Sequence, residues 1–275
     1  MKVYISMDME GVAGVTHREQ TNPLGYDYGY ARHLMIGECN AAIQGCLDAG
    51  ATELVVSDSH GGNGCKTLLA EDLHPAADLI TGIPRPYGQL STLDSSFAAL
   101  LMPGYHVRHG ARGVLNHTLN GQTVARLLVN GVEVGEIGSN AGLAGHYGVP
   151  VVMVSGDDLT VAESKAQLPW IEGAVVKWAL GRYSERGLHP RRAQEVIRSA
   201  AAVSLRNLDR MKPYRVASPV QFDLAFKDTS MAEVAAQIPG VQLTDPRTAR
   251  ITAHDYPTAF AAYHAAVDLG STTRR

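Results

Sequence analysis

Lys2-Val3-Tyr4-Ile5-Ser6-Met7-Asp8-Met9-Glu10-Gly11 opens the chain, and its reading decides the fold. A run of strand-forming residues ends in two acids and a glycine. A Gly- and Tyr-rich loop follows, about residues 16–30, and then a helical stretch over Ala31–Ala49. Gly50 sits where a helix C-cap belongs, and a second strand, Glu53–Ser57, begins at once. This strand–loop–helix–strand order predicts a mostly parallel sheet with right-handed crossovers.

Working outward, the same pattern recurs. Leu54-Val55-Val56 runs into Ser57-Asp58-Ser59-His60. Ala98 to Met102 runs into Pro103-Gly104-Tyr105-His106. Val132-Glu133-Val134 runs into Gly135-Glu136-Ile137-Gly138. In an open α/β sheet, ligands bind beyond the carboxyl ends of the strands. If these runs are neighbouring strands, Asp8, Glu10, Asp58, His60, His106 and Glu136 converge. Carboxylates and imidazoles together are the donors that suit zinc and its first-row neighbours. Asp8 and Glu10, like Asp58 and His60, are two residues apart and share a strand face.

Further strands are expected at Ala77–Thr81, Val124–Val129 and Val151–Ser155. Asn130-Gly131 between Arg126–Val129 and Val132–Glu136 is a hairpin signal, so the sheet should be mixed. A helix is expected over Asn140–His146, and Asp157 or Asp158 should cap another over Thr160–Gln167. Past residue 160 the texture changes. A helix over Pro190–Asn207, strands at Val220–Lys227 and Arg247–Ala253, and a helix at Pro257–Leu269 follow, with Ser271–Arg275 expected to fray. The overall expectation is an α/β protein: a mixed, mostly parallel sheet flanked by helices, with a smaller C-terminal α+β unit. The domains would be a metal-binding catalytic unit at residues 1–160 and the smaller unit at 161–275, with a soft boundary.

The 275 residues are 45% hydrophobic and 19% charged, enough to bury a core. A formal charge of -3 without a basic block argues against nucleic acid as a partner. No stretch approaches the roughly 20 apolar residues of a membrane span, and no leader pattern precedes the first strand. A cytoplasmic protein without membrane contact is expected. Three cysteines, Cys39, Cys46 and Cys65, form no Cys-x-x-Cys pair, and the helical Cys39 and Cys46 should face the core. The Gly61–Thr67 loop follows a strand as a phosphate loop does, but Cys65 stands where that motif needs a glycine before lysine.

Ser6 to Gly11, Ser57 to His60, Gly104-Tyr105-His106 and Gly135 to Gly138 together resemble the zinc-dependent D-aminopeptidases of bacterial dipeptide-transport operons. Leu73–Ile80 and Val149–Asp158 are similar to family segments as well, and the likeness weakens after about residue 190. The resemblance implies two Zn2+ per subunit and cleavage of short peptides that begin with a D-amino acid such as D-Ala. It implies Asp8 as the bridging ligand, Glu10 and His106 completing one coordination sphere, and His60 and Glu136 the other. It also places a catalytic histidine at His117, with His109 a poorer fit and an exposed loop residue. A homodecamer of two stacked pentameric rings is implied too.

Two other readings compete. A dinuclear metal phosphoesterase has similar ligands but needs a cationic clamp, for which Arg108 and Arg112 are the candidates. A non-catalytic metal-dependent binding protein has no need of His117.

Overall fold

The computed structural model describes residues 1–273, so the expected fraying is addressed only as far as Thr273. The order of elements is β1 (Lys2–Met7), α1 (Arg18–Thr21), α2 (Tyr28–Asp48), β2 (Glu53–Asp58), β3 (Ala77–Ile80), β4 (Ala99–Met102), β5 (Val124–Val129), β6 (Val132–Glu133), α3 (Glu136–His146), β7 (Val151–Asp157), α4 (Asp158–Gln167), β8 (Glu172–Gly181), β9 (Ser184–Gly187), α5 (Pro190–Arg206), β10 (Val220–Phe226), α6 (Thr229–Ala235), β11 (Gln242–Asp245), β12 (Thr248–Ala253) and α7 (Tyr256–Ser271).

Seven strands form the main sheet in the order β3-β2-β1-β4-β7-β8-β9. All its pairs are parallel except the β8–β9 hairpin. Strand order reverses between β1 and β4, and a crevice opens at such a switch point. The mixed, mostly parallel architecture is as the sequence predicts.

β1 is a central strand with both faces covered, so its apolar run is nearly unbroken. Val3, Ile5 and Met7 pack with Ala99 and Leu101 of β4 and with α2 and α5. Tyr4 turns to the opposite face, into a core shared with Leu100, Met102, α3, α7 and the second sheet. That second sheet is antiparallel, in the order β11-β12-β10-β5-β6. β10 alternates buried and half-buried positions, as a strand covered on one face does.

The sheets do not follow the division drawn at residue 160. β8 and β9 lie beyond it yet extend the main sheet, while β5 and β6 lie before it yet join the second. The reason is pairing: β5 finds its antiparallel partner in β10, about a hundred residues later, and β7 finds its parallel partner in β8. β8 is also the strand the sequence hides best. Lys177 interrupts its apolar run and is nonetheless fully buried.

Candidate metal centre

Three of the four expected strand ends are neighbours. β2, β1 and β4 lie side by side in that order, and Asp58, Asp8 and Pro103–His106 follow or close them. The fourth is a correction. Glu136 does not end a strand of this sheet but opens α3, with Gly135 as the N-cap, and the hairpin before it belongs to the second sheet. A helix N-terminus carries unpaired amides and partial positive charge, so it suits a carboxylate.

Two glycines let the loops meet. Gly104 has φ +76°, and a Cβ there would lie 2.1 Å from the Asp8 carbonyl oxygen. A Cβ on Gly11 would lie 2.0 Å from the Tyr105 carbonyl oxygen. The contact is sealed by backbone bonds from Asp8 N to Pro103 O (3.0 Å) and Gly11 N to Gly104 O (2.7 Å).

The side chains form two groups about Asp8. His60 Nδ1 lies 3.2 Å from Glu10 Oε2 and 3.6 Å from Asp8 Oδ1. His106 Nε2 lies 3.2 Å from Glu136 Oε1 and 3.5 Å from Asp8 Oδ2. His117 stacks on His106, with ring centroids 4.0 Å apart, and its Nε2 is 3.7 Å from Glu136 Oε1. The six expected site residues therefore come together. Here Glu10 stands with His60, and Glu136 with His106. Chain order explains it, because β2 carries His60 alongside the Asp8–Glu10 turn and β4 lies on the other side of β1.

Each imidazole has its tautomer set by a backbone carbonyl. His60 Nε2 faces Thr21 O at 2.8 Å, His106 Nδ1 faces Val107 O at 2.9 Å, and His117 Nδ1 faces Leu115 O at 2.9 Å. A carbonyl only accepts, so those nitrogens carry hydrogen, and the opposite ones face the carboxylates, where a metal could replace a proton. That is how proteins orient metal-ligating histidines. His106 Nε2 is buried and has no hydrogen-bond partner among the described residues. The donor set thus fits divalent cations.

The charges make the same point. No Lys or Arg among the described residues pairs with the Asp8, Glu10 or Glu136 carboxylates. Burial and the adjacent Glu10 push Asp8 up to about 8. Burial disfavours a charged Glu10, but the His60 cation wins and holds it well below the carboxylate range. Burial likewise opposes a charged His106, yet the Glu136 carboxylate lifts it to about 10. Glu136 in turn is held at about 2 against burial by His106. Burial, and then the His106 cation, lower His117.

Around these groups lies a polar scaffold that the sequence did not disclose. Gln89 Nε2 donates to Glu136 Oε2 at 2.7 Å, and Leu119 N to Glu136 Oε1 at 2.8 Å. Asn140 Nδ2 donates to Gln89 Oε1, and Tyr105 and Ser6 hydroxyls join 2.6 Å apart. Lys177 Nζ donates to the carbonyls of Glu10, Val12 and Val15 at 2.6–2.8 Å, pinning the loop that carries Glu10. Gln89 lies in a single 3₁₀ turn, Gly88–Leu90, and Lys177 mid-strand, so neither stands beside a motif.

Other candidates have different roles. Asp58 is fully buried and accepts the amides of His60, Thr67 and Leu68, so it braces the 58–68 loop and is not free to meet a substrate amine. Those loop amides are consequently not a phosphate cradle. Arg108 is engaged by Glu163 at 2.6 Å and Glu133 at 3.4 Å. Arg112 is exposed. His109 is half-buried rather than exposed, with its amide on Thr118 Oγ1. Asp157 caps α4 by accepting from Thr160 N, and Cys39 and Cys46 are buried as expected.

With this geometry in place, the chain compares closely with known proteins. The family model of the M55 peptidases, described as D-aminopeptidase, matches residues 1–265. The chain belongs to this family. It is 34% identical over 274 residues to a D-aminopeptidase of Bacillus subtilis strain 168, covering 99% of each chain. It also matches the solved structure of DppA from Bacillus subtilis, a zinc-dependent D-aminopeptidase described as a self-compartmentalizing protease. That match has a TM-score of 0.96 at 33% identity and covers both chains completely.

The metal-free protein should show the charge conflict as a pH dependence. Folding raises His106 from 6.5 to about 10, so its stabilisation is whole below 6.5 and lost as pH rises through 10. Asp8, raised from 3.8 to about 8, acts in the same direction, since the folded state holds a proton the unfolded chain releases. The melting temperature of chelator-treated protein should therefore fall between pH 6.5 and 10. A melting temperature that is flat or rises over that interval would contradict this electrostatic account.

Proposed function

We propose that this M55 peptidase is a two-zinc aminopeptidase that removes a D-amino acid such as D-Ala from the N-terminus of short peptides. The observation that carries it is the position of Asp8, with Oδ1 toward the Glu10–His60 group and Oδ2 toward the His106–Glu136 group. A carboxylate so placed could be shared by two cations and would offset their repulsion. Glu10 and His60 would complete one site, and His106 and Glu136 the other. Zinc is supported by the mixed N/O donors and by the zinc dependence of the similar Bacillus subtilis enzyme.

When bound, the ions supply Lewis-acid polarisation of the scissile carbonyl and acidify water. The chain's own residues supply the rest. His117 has the most exposed side chain of the six, at 18% against 9% or less for the others, so it faces the mouth of the site. With Nδ1–H fixed on Leu115 O and its basicity lowered, His117 is neutral near pH 7 and presents the Nε2 lone pair. It accepts a proton from the attacking water at Nε2 and returns it to the departing amine. Gln89 and the Leu119 amide hold Glu136 still while this happens. A phosphoesterase is less well served, because Arg108 is already paired. A binding protein would leave the neutral His117 without a task.

The chain also fits a closed homo-oligomer. Leu24 and Tyr26 in the loop before α2, and Tyr30 in its first turn, are 92%, 84% and 61% exposed, large apolar side chains of the kind that mark contacts between proteins. With the self-compartmentalizing relative, this supports a decamer of two stacked pentameric rings. Three free cysteines, and no described helix long and apolar enough to cross a membrane, support a cytoplasmic site of action.

Metal analysis should find about two zinc ions per chain, and D-Ala-Gly-Gly should be cleaved in preference to L-Ala-Gly-Gly. Purified protein with trace metal only, or with no stereochemical preference, would sink the reading. His117→Ala should keep its zinc and its fold while kcat falls by roughly 10²–10⁴ with little change in KM. Loss of zinc from that variant would make His117 a ligand, and an unchanged kcat would make it structural. Native mass measurement should give a decamer, and a monomer or dimer at working concentration would remove the ring assembly.

A further inference from the structure

The loop that carries His117 is held from both sides by cations. Arg182, in the turn between β8 and β9, donates from Nη2 to Asn116 O at 3.1 Å and accepts from Leu115 N at its own carbonyl. Lys227, just after β10, donates from Nζ to Gly121 O. Gly121 packs directly on His117, since a Cβ there would lie 2.9 Å from the His117 Cβ. Arg18, exposed at the start of α1, joins them, because the preceding His17 ring lies 5.7 Å from the ring of Tyr183, which follows Arg182 in the same turn.

These three cations have no acid to meet. No carboxylate among the described residues forms an ion pair with Arg18, Arg182 or Lys227. They are also close enough to act on one another. Partial burial, and then Arg182 and Arg18, hold the Lys227 ammonium below its usual range. Burial, and then Lys227 and Arg182, lower His109. Arg182 Nε is buried and unpartnered. Like charges gathered without counter-charge are unfavourable, whereas Arg198 with Asp48 and Arg250 with Asp223 show the paired alternative. Such a cluster is a seat for an anion, and a guanidinium fork matches a carboxylate in shape.

We propose that Arg18, Arg182 and Lys227 form the subsite that takes the C-terminal carboxylate of a short peptide substrate. The proposal rests on the aminopeptidase reading and deepens it. A peptide advances by roughly 3.5 Å per residue when extended. With the scissile carbonyl at the Asp8–His117 centre, a di- or tripeptide laid along the His117 loop would bring its free carboxylate toward the cations that grip that loop. Length selection would then arise within a single subunit, by charge, in addition to any exclusion by an assembly.

The test uses the zinc-loaded wild-type enzyme with D-Ala-Gly-Gly and its C-terminal amide. The free acid should be favoured by about tenfold or more in kcat/KM, mainly through KM, as a charge-assisted bond predicts. Added salt should narrow the difference, because partly exposed charges are screened. The acid-to-amide ratio should fall toward one in Lys227→Gln and in Arg18→Gln, and Lys227→Arg should restore it. Arg182→Gln should do the same, but it also bears on the loop, so the other two variants carry the decision. The ratio should fade as glycines are added to the substrate. Equal cleavage of acid and amide by the wild type would overturn the subsite while leaving the aminopeptidase intact. A ratio independent of peptide length, or unmoved in both Lys227→Gln and Arg18→Gln, would overturn it too. Failure to cleave either peptide would overturn the aminopeptidase reading and this proposal with it.

Discussion

Three carboxylates crowded into one buried crevice are the constraint on which the rest depends. Asp8, Glu10 and Glu136 are each less than a tenth exposed, and water cannot screen them. Such a group persists only if positive charge is brought to it. The protein brings imidazoles, and no described lysine or arginine pairs with these acids. This choice has a chemical consequence. A guanidinium would neutralise the site permanently, whereas an imidazole can release its proton and present a nitrogen to a metal. The tautomers fixed by Thr21, Val107 and Leu115 carbonyls prepare that exchange.

Position follows from topology. β1 lies where strand order reverses, so the loop after Met7 opens into a crevice rather than onto a neighbouring helix. Close approach of the Asp8 and Gly104 loops then depends on residues without side chains at Gly11 and Gly104. Lys177 adds a second restraint from β8. A fully buried ammonium is costly unless saturated, and here three carbonyls and Glu185, 3.2 Å away, surround it. Its anchors are the main-chain oxygens of Glu10, Val12 and Val15, so the backbone under Glu10 is fixed without drawing on the carboxylate itself.

Much of this was legible in the sequence, and the reasons are physical. A central parallel strand is apolar on both faces, so β1, β2 and β4 announce themselves, and acids at their ends stand out against that background. His60 and His106 were readable for the same reason. Which acid stands beside which histidine was not, because it depends on which strand lies to which side of β1. Glu136 was found as a residue but misplaced on a strand, since Val132–Val134 alternates like one and only the pairing of β5 with β10 shows which sheet it serves. Gln89 and Asn140 were silent, because side-chain amides at hydrogen-bonding distance leave no periodic mark. Strand pairing also crosses residue 160, from β5 to β10 and from β7 to β8, which a change in local texture does not report.

The histidine loop shows how site and surroundings are joined. His117 lies stacked on His106, and its burial lowers its basicity. A neutral imidazole offers one lone pair, so its orientation decides whether that pair faces the crevice. The Leu115 carbonyl fixes the ring, and the Leu115 amide is fixed in turn by the carbonyl of Arg182 on the β8–β9 hairpin. β8 is hydrogen-bonded to β7 in the main sheet, and Lys177 on the same strand pins the Glu10 loop. One late strand thus sets both the carboxylate turn and the His117 loop. A hairpin on which both depend cannot be displaced without moving the two halves of the centre together.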